Sequence, residues 1–178
     1  MAEVAVVSEV AVASGGESAA RLAVEVVAAL RTRRETVATA ESLTGGLLGA
    51  TITGVPGASA VYRGGLIPYA TELKAGLAGV SPTTLAEDGP VAASTAGQLA
   101  EGTARACRAD WGLATTGVAG PDSQDGHPVG QVFIAVTGPR RGADVRVREL
   151  GLAGDRDTIR AQTVAAVLAL LLESLADS

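Results

Sequence analysis

The sequence has very few of the side chains from which metal sites and histidine-based catalytic sites are built. Its 178 residues include one cysteine, Cys107, and one histidine, His127. A single cysteine excludes an internal disulfide, and without a cysteine–histidine cluster no metal site is expected. His127 stands in a Gly-His-Pro loop, where a solvated side chain is expected. A catalytic triad that needs histidine would therefore depend on this one loop residue.

Aromatic residues and lysine are equally scarce. Aromatic side chains make up 2% of the chain, so the core has to be built from alanine, valine, leucine and isoleucine. Of the 14 basic residues, Lys74 is the single lysine, and all the others are arginine. It lies in the hexapeptide YATELK at 69–74. Because every other basic residue of the chain is arginine, Lys74 is a candidate for a role that arginine cannot fill.

Neither charge nor hydropathy points to a nucleic-acid or membrane partner. The net charge of −5 argues against a broad surface for nucleic acid, and Arg140 and Arg141 are expected in a solvated turn. The longest apolar run, Val164–Leu172, is too short to span a bilayer. The N-terminus carries Glu3 and Glu9 and no early positive charge, unlike a signal peptide. The sequence therefore predicts a soluble cytoplasmic protein.

Residues 1–15 are expected to form a flexible N-terminal tail, and residues 16–178 a single domain. Apolar periodicity and turn residues predict helices alternating with strands in this domain. The predicted strands are Thr36–Glu41, Ser59–Pro68, Trp111–Val118, Gln131–Thr137 and Asp144–Leu150. The predicted helices are Glu17–Arg34, Gly45–Thr53, Thr71–Gly79, Pro82–Ala86, 91–108 and Asp155–Leu175. This alternation predicts an α/β fold with helices on both faces of the sheet and an antiparallel last pair of strands.

The first candidate site is a strand-to-helix corner with the sequence AESLTGG at 40–46. A helix N-terminus has free N–H groups and the positive end of the dipole, and Gly45 and Gly46 would let a ligand approach them. Such a corner can bind a phosphate or a developing oxyanion, and Ser42 could be a nucleophile there. The alternative is that Ser42 or Thr44 is an ordinary N-cap. The lysine of a Walker A loop is missing after the glycines.

Lys74 could supply the base that such a serine would need. With Thr71 as N-cap, Lys74 falls at the third helical position, where the helix dipole and any burial lower its pKa. A neutral lysine can take a proton, and arginine cannot. Tyr69 could relay a proton or orient the lysine. The alternative is a solvated lysine beside a half-buried tyrosine.

A second glycine-containing turn follows a predicted strand, in TTGVAGP at 115–121. The Thr116 hydroxyl and the backbone near Gly117 and Gly120 could line a small-molecule pocket at the end of the strand, where α/β folds bind ligands. A plain loop is the alternative.

The start of the last helix is a further candidate, with the sequence GDRD at 154–157. Asp155 is a predicted N-cap. Arg156 could meet an anion, or it could pair with Asp155 or Asp157 on the surface.

Six stretches together resemble the CinA C-terminal domain family, which includes the nicotinamide-nucleotide amidohydrolases. They are AESLTGG at 40–46, VPGAS at 55–59, YATELK at 69–74, TTGVAGP at 115–121, PVGQVFIAV at 128–136 and GDRDTIR at 154–160. The resemblance covers roughly residues 17–175. It implies a three-layer α/β/α sandwich with a mixed, mostly parallel sheet, a homodimer, and no metal or other cofactor.

By position, the resemblance makes Ser42 the nucleophile, Lys74 the general base and Tyr69 a helper. It makes Thr116 and Arg156 residues that line or close the pocket. The implied reaction is hydrolysis of the carboxamide of nicotinamide mononucleotide to nicotinate mononucleotide and ammonia.

The expected mechanism is acylation of a serine. Neutral Lys74 would take the proton of Ser42, which would attack the carboxamide carbon. The amides of residues 44–46 would stabilise the oxyanion, and Arg156 with the loop 116–120 would hold the ribose phosphate. Which glycine turn binds the phosphate and which the oxyanion is left open.

Three departures from the family pattern bear on the substrate more than on the reaction. Leu43 replaces a frequent cysteine, Thr71 a frequent asparagine, and Pro68 a small or apolar residue. Two other functions therefore stay open: a non-catalytic nucleotide-binding or regulatory module, and an amidohydrolase for another small amide. The intact nucleophile, base and tyrosine favour an enzyme.

Overall fold

The computed structural model describes residues 5–6, 15–139 and 145–178. Most of the expected tail, the arginine pair Arg140-Arg141 and the expected strand start at Asp144 lie outside the described residues. The strands are β1 (Ala5–Val6), β2 (Val37–Glu41), β3 (Tyr62–Leu66), β4 (Trp111–Gly117), β5 (Gln131–Thr137) and β6 (Arg146–Gly151). The helices are α1 (Gly15–Arg33), α2 (Leu47–Thr53), α3 (Thr71–Ala78), α4 (Pro82–Glu87), α5 (Ala93–Cys107) and α6 (Arg156–Ala176).

The six described strands form one mixed sheet in the order β1-β6-β5-β4-β2-β3. The neighbours β2 and β3, β2 and β4, and β1 and β6 are parallel, whereas β4 with β5 and β5 with β6 are antiparallel. The fold is thus α/β with a mostly parallel sheet, as expected, including the antiparallel pair β5 and β6. β1 lies inside the segment that was expected to be a tail, and it extends the sheet beyond β6.

The sheet separates two apolar clusters, because alternate residues of each strand point to opposite faces. Leu113 of β4 belongs to the cluster formed with α1, α2 and α6. Ala114, the next residue, belongs to the cluster formed with α5 and the end of α3. Both clusters consist mainly of alanine, valine, leucine and isoleucine. The three layers therefore follow from the alternation of small aliphatic side chains along the central strands.

Two glycine pairs change the expected boundaries. Helix α2 begins at Leu47 instead of Gly45, because Gly45 and Gly46 have positive φ angles of 56° and 97°. Strand β3 is shorter than expected and follows a short 3-10 turn at Ala58–Ala60. Its register against β2 shifts by one residue beside Gly64, which agrees with the bulge that this glycine pair predicts.

Helix α6 is long and apolar enough, by composition, to cross a membrane. In the structure its apolar side chains, including Ile159, Leu168 and Leu171, are buried in the cluster shared with α1 and the sheet. This is the packing of a core helix, which is consistent with a soluble protein.

Candidate active site

A cavity of about 130 Å³ opens at the carboxyl ends of the parallel strands β2 and β4. Five segments contribute its walls: the turn after β2, the start of α3, residues 90–91 before α5, the loop after β4 and the start of α6. The lining residues are Ser42, Leu43, Tyr69, Thr71, Lys74, Pro90, Val91, Thr116, Gly117, Val118, Ala119, Gly120, Asp122, Gln124 and Arg156. Of the residues expected at the site, seven line this cavity, and Thr44, Gly45 and Gly46 do not.

The turn that carries Ser42 is held by a buried carboxylate. Glu41, the last residue of β2, is 2% exposed and accepts hydrogen bonds from the backbone N–H groups of Gly46, Leu48 and Gly49 at 2.8–2.9 Å. These are the donors that the start of an α-helix leaves without an intrahelical acceptor, and a negative charge there is also favoured by the helix dipole. Ser42 itself stays attached to the sheet, since its N–H donates to the carbonyl of Thr115 at 3.0 Å.

The expectation that the glycines of this turn face the substrate needs correction. The N–H of Gly46 is bound by Glu41, and the N–H of Gly45 donates to the carbonyl oxygen of Ser42 at 3.1 Å. The Thr44 side chain is fully buried, with its hydroxyl 2.9 Å from that of Thr115. The physical reason is that the Glu41 carboxylate occupies N–H groups at the start of α2 that would otherwise be free to bind an anion of the substrate.

Lys74 points into the protein and reaches Ser42. Its Nζ donates to the Ser42 Oγ at 3.2 Å, to the carbonyl oxygen of Pro68 at 2.9 Å and to that of Tyr69 at 3.5 Å. Lys74 is 2% exposed, and across the described part of the chain no carboxylate forms an ion pair with it. Burial lowers the pKa of Lys74, and the nearby charge of Glu72 opposes this shift.

The helix geometry around Lys74 differs from the expectation in one respect. The residue before α3 is Ala70, in an extended conformation, and Thr71 is the first helical residue. Thr71 therefore does not cap the helix, and Lys74 is the fourth helical residue instead of the third. The lowered pKa of Lys74 arises from burial first, so that the shift depends little on the cap.

Tyr69 and Arg156 meet at the edge of the cavity. The Nη2 of Arg156 donates to the Tyr69 hydroxyl at 2.8 Å, and its Nη1 donates to the carbonyl oxygen of Gly120 at 2.6 Å. The Tyr69 hydroxyl is thus bound to Arg156 and not to Ser42 or Lys74. Tyr69 contacts Lys74 through its backbone carbonyl instead. Asp155 caps α6 by accepting from the Thr158 N–H at 2.8 Å, and the alternative of an Arg156–aspartate surface pair is not what the structure shows.

The loop after β4 forms the opposite wall. Thr116 is 1% exposed, and its hydroxyl donates to the carbonyl of Pro90 at 2.7 Å, which leaves the oxygen free to accept. Gly117 and Gly120 have positive φ angles of 148° and 85°. A side chain at Gly117 would collide with the backbone of β5. At these two positions the conformation of the wall therefore requires glycine.

Sequence reasoning missed the residues that act behind the cavity wall. Glu41 stood in a quoted motif, and its place at the end of a buried strand before a helix was the available signal. Arg160 donates from Nε to the carbonyl oxygen of Leu43 at 3.2 Å and from Nη2 to that of Thr44 at 2.9 Å, a pairing without a local signal. Asp122 and Gln124, which follow the TTGVAGP turn, were not among the expected site residues, although they line the cavity.

Residues 19–175 match the CinA C-terminal domain family. The chain belongs to this family. It is 46% identical over 151 residues to a CinA-like protein of Frankia casuarinae, a match that covers 85% of this chain and 34% of that protein. It is also 46% identical over 157 residues to a CinA-like protein of Anaeromyxobacter, covering 88% and 38%. The chain thus spans about a third of the length of these curated relatives.

Solved structures of the CinA superfamily have the same fold. A competence-damaged protein (CinA) superfamily protein from Klebsiella pneumoniae superposes with a TM-score of 0.86 at 29% identity, covering 90% of this chain and 99% of that one. A competence/damage inducible protein from Agrobacterium tumefaciens gives 0.84 at 33% identity, covering 88% and 95%. In the described segments of this CinA-family chain, no three histidine, cysteine, aspartate or glutamate side chains are grouped so as to hold a metal ion.

Replacing the Glu41 carboxylate should loosen the Ser42 turn. Glu41→Gln keeps one acceptor oxygen but turns an NH₂ group towards the α2 amides, so we expect the free energy of unfolding to fall by about 1–3 kcal/mol. Urea unfolding measures this change. The matched control is Glu25→Gln, which removes one partner of the exposed Arg21–Glu25 pair and should cost less than about 1 kcal/mol. Equal stability losses in the two variants would contradict the role given to Glu41.

Proposed function

We propose that this CinA-family chain is a nicotinamide-nucleotide amidase that converts nicotinamide mononucleotide to nicotinate mononucleotide and ammonia, in pyridine-nucleotide recycling in the cytoplasm. The observation that carries this proposal is the contact between the Lys74 Nζ and the Ser42 Oγ, 3.2 Å apart at the wall of a small cavity. A buried lysine without a carboxylate partner is the state in which an amine can be neutral and accept a proton.

The first step forms an ester between Ser42 and the substrate. Neutral Lys74 takes the hydroxyl proton as Oγ attacks the carboxamide carbon, and a tetrahedral oxyanion forms. When this intermediate collapses, the C–N bond breaks and Lys74 returns the proton to the leaving nitrogen, which departs as ammonia. Water then attacks the ester with Lys74 again as base, releasing the carboxylic acid and restoring Ser42.

The oxyanion has to be bound by donors that the fold has not already used. The Gly45 and Gly46 N–H groups are bound within the turn. The N–H groups of Leu43 and Thr44 have no acceptor in the described part of the chain, and Leu43 lines the cavity. We therefore place the oxyanion donors at these two amides, which lie directly after the nucleophile as in other serine hydrolases.

The other end of the cavity suits the nucleotide portion of the substrate. The guanidinium of Arg156 lines the cavity. Its contacts with Tyr69 and Gly120 place it between the start of α3 and the loop after β4. A phosphate would bind this group more strongly than a neutral hydroxyl or carbonyl does, since both partners are charged. Thr116 and the backbone from Gly117 to Gly120 complete that side, and Tyr69 assists by holding Arg156.

The cavity size favours one alternative. At about 130 Å³ it is smaller than the 300–1,000 Å³ that is usual for ligand pockets. It would hold a carboxamide and its ring while the rest of a nucleotide lies over the mouth. A smaller amide would fit entirely, so an amidohydrolase for another small amide is the second candidate function.

Ammonia release from nicotinamide mononucleotide tests the proposal, with Ser42→Ala and Lys74→Arg beside the wild type. Both variants should lose at least about 10³-fold in kcat, since the alanine has no nucleophile and the arginine cannot give up its proton. Free nicotinamide and other small amides are measured in parallel. Activity that persists in Lys74→Arg would rule out the lysine as base. Nucleotide binding without ammonia release by the wild type would indicate a non-catalytic module.

The pH dependence of kcat/KM follows from the state of Lys74. The neutral amine is the active form, so the rate should rise with pH through the pKa of Lys74, at a midpoint below the ordinary lysine value because burial lowers this pKa. The charge of Glu72 raises the same pKa. Glu72→Gln should therefore move the rising limb to lower pH. An unmoved limb in this variant would show that another group titrates.

We also propose that the chain forms a homodimer through the exposed face of α3. Among the described residues, six large apolar side chains are exposed, and four of them lie at Ile67, Tyr69, Leu73 and Leu77. Leu73 and Leu77 are one helical turn apart and share a face. Such a patch beside a cavity is typical of an interface between subunits.

Sedimentation equilibrium tests the homodimer. The wild type should sediment as a dimer and Leu77→Glu as a monomer, because the new carboxylate would be buried without a partner. Val24→Glu is the matched control, since Val24 is 54% exposed against 47% for Leu77 but lies on α1. A monomeric wild type, or a Leu77→Glu variant that stays dimeric, would contradict this interface.

A further inference from the structure

Two charged side chains hold the Ser42 turn: one accepts from backbone N–H groups, and the other donates to backbone carbonyl oxygens. Glu41 binds N–H groups at the start of α2, whereas Arg160 binds the carbonyl oxygens of Leu43 and Thr44 at 3.2 and 2.9 Å. Arg160 lies on α6, more than a hundred residues further along the chain. Its contact with the turn is therefore made by the tertiary fold, and it reaches neither the Ser42 hydroxyl nor Lys74.

The bound carbonyls fix the direction of the free amides. In a trans peptide the C=O and N–H groups point to opposite sides, and the cis bond of the described chain is Gly120-Pro121. The carbonyl of Ser42 is held by the Gly45 N–H, and the carbonyl of Leu43 is held by Arg160. The N–H groups of Leu43 and Thr44 belong to these same two peptides. Because each carbonyl is held by a hydrogen bond, the N–H group on the opposite side of the same peptide has a fixed direction.

Arg160 also changes the strength of the Thr44 amide as a donor. A guanidinium that donates to a carbonyl oxygen draws electron density towards that oxygen, and the N–H of the same peptide becomes a better donor. The Arg160 side chain is 27% exposed, and among the described residues its ion-pair partner is Asp157, which lies 3.5 Å away and is 90% exposed. The shorter of its two hydrogen bonds to the turn, at 2.9 Å, is to the Thr44 carbonyl, whose peptide carries the Gly45 N–H that holds the Ser42 carbonyl.

We propose that Arg160 is a positioning residue for the oxyanion donors. Through the Leu43 carbonyl it orients and polarises the Thr44 amide, and through the Thr44 carbonyl it supports the Gly45 N–H that holds the carbonyl of the Leu43 amide. It is one helical turn from Arg156, so the first two turns of α6 serve both walls of the cavity: Arg156 holds the Gly120 loop, and Arg160 holds the Ser42 turn. This inference rests on the proposed function only in that an oxyanion must form when Ser42 reacts.

The test compares Arg160→Met and Arg160→Lys with the wild type in two reactions. The first is ammonia release from nicotinamide mononucleotide, with kcat and KM measured separately. The second is modification of Ser42 by a small alkyl fluorophosphonate, in which the Ser42 Oγ–P bond forms, the P–F bond breaks, fluoride leaves and the hydroxyl proton goes to Lys74. The P=O oxygen takes the place of the oxyanion, and the reaction needs no nucleotide.

We expect Arg160→Met to lower both kcat and the labelling rate by about 10²-fold with little change in KM, as when an oxyanion donor is lost. Arg160→Lys should recover part of both rates, because an ammonium can bind one of the two carbonyls. Asp157→Asn is the control, since it removes the carboxylate neighbour and leaves the guanidinium donors; it should behave as the wild type. Thermal unfolding shows that the compared samples are folded.

The outcomes separate this inference from the proposed function. If the wild type is labelled at Ser42 but releases no ammonia, and the variants are labelled slowly, the substrate is wrong and the role of Arg160 stands. A folded Arg160→Met or Arg160→Lys that is labelled as fast as the wild type overturns the role of Arg160, whatever the substrate. A wild type labelled no faster than Ser42→Ala overturns it too, because the turn then presents no reactive serine.

Discussion

The buried carboxylate of Glu41 is the constraint on which the site depends. β2 ends at this residue, and the chain has to turn sharply before α2 begins, with two glycines in the left-handed region. The carboxylate supplies acceptors for three N–H groups at the helix start, those of Gly46, Leu48 and Gly49. Ser42, between the sheet and this clamp, is left with little freedom. Gly49 and Gly65 leave the room in which Glu41, Thr39 and Tyr62 pack.

A second constraint is the burial of a single cation. The Lys74 side chain is buried beside α3. Its Nζ contacts three oxygens, the Ser42 hydroxyl and two backbone carbonyls, and in the described part of the chain it has no carboxylate partner. Burying an amine in this way is unfavourable for its charged form. The cost is connected to the chemistry, because an ion pair with Lys74 would stabilise its proton. The same position filled by arginine would carry a permanent charge and would not serve as a base.

Much of the site was predictable because its chemistry depends on residue types. Lys74 was singled out by the absence of other lysines, and Ser42 by its place at a strand-to-helix corner. The structure brings these two within hydrogen-bond distance. The oxyanion donors were expected at the amides of residues 44–46, since the first N–H groups of a helix have no intrahelical acceptor. Two of these amides are already bound, because the Gly46 N–H donates to Glu41 of the preceding strand and the Gly45 N–H donates to the Ser42 carbonyl.

The sequence by itself determined the layers, the order of helices and strands and the family, because these depend on local periodicity, on glycine and on contiguous motifs. The tertiary structure alone decided which groups are free to act. It placed Arg160 of α6 on the carbonyls of Leu43 and Thr44, and it turned the Tyr69 hydroxyl to Arg156 instead of Lys74. Hydrogen bonds between residues far apart in the chain leave no periodic trace, so only the packing of α6 against the Ser42 turn could reveal them.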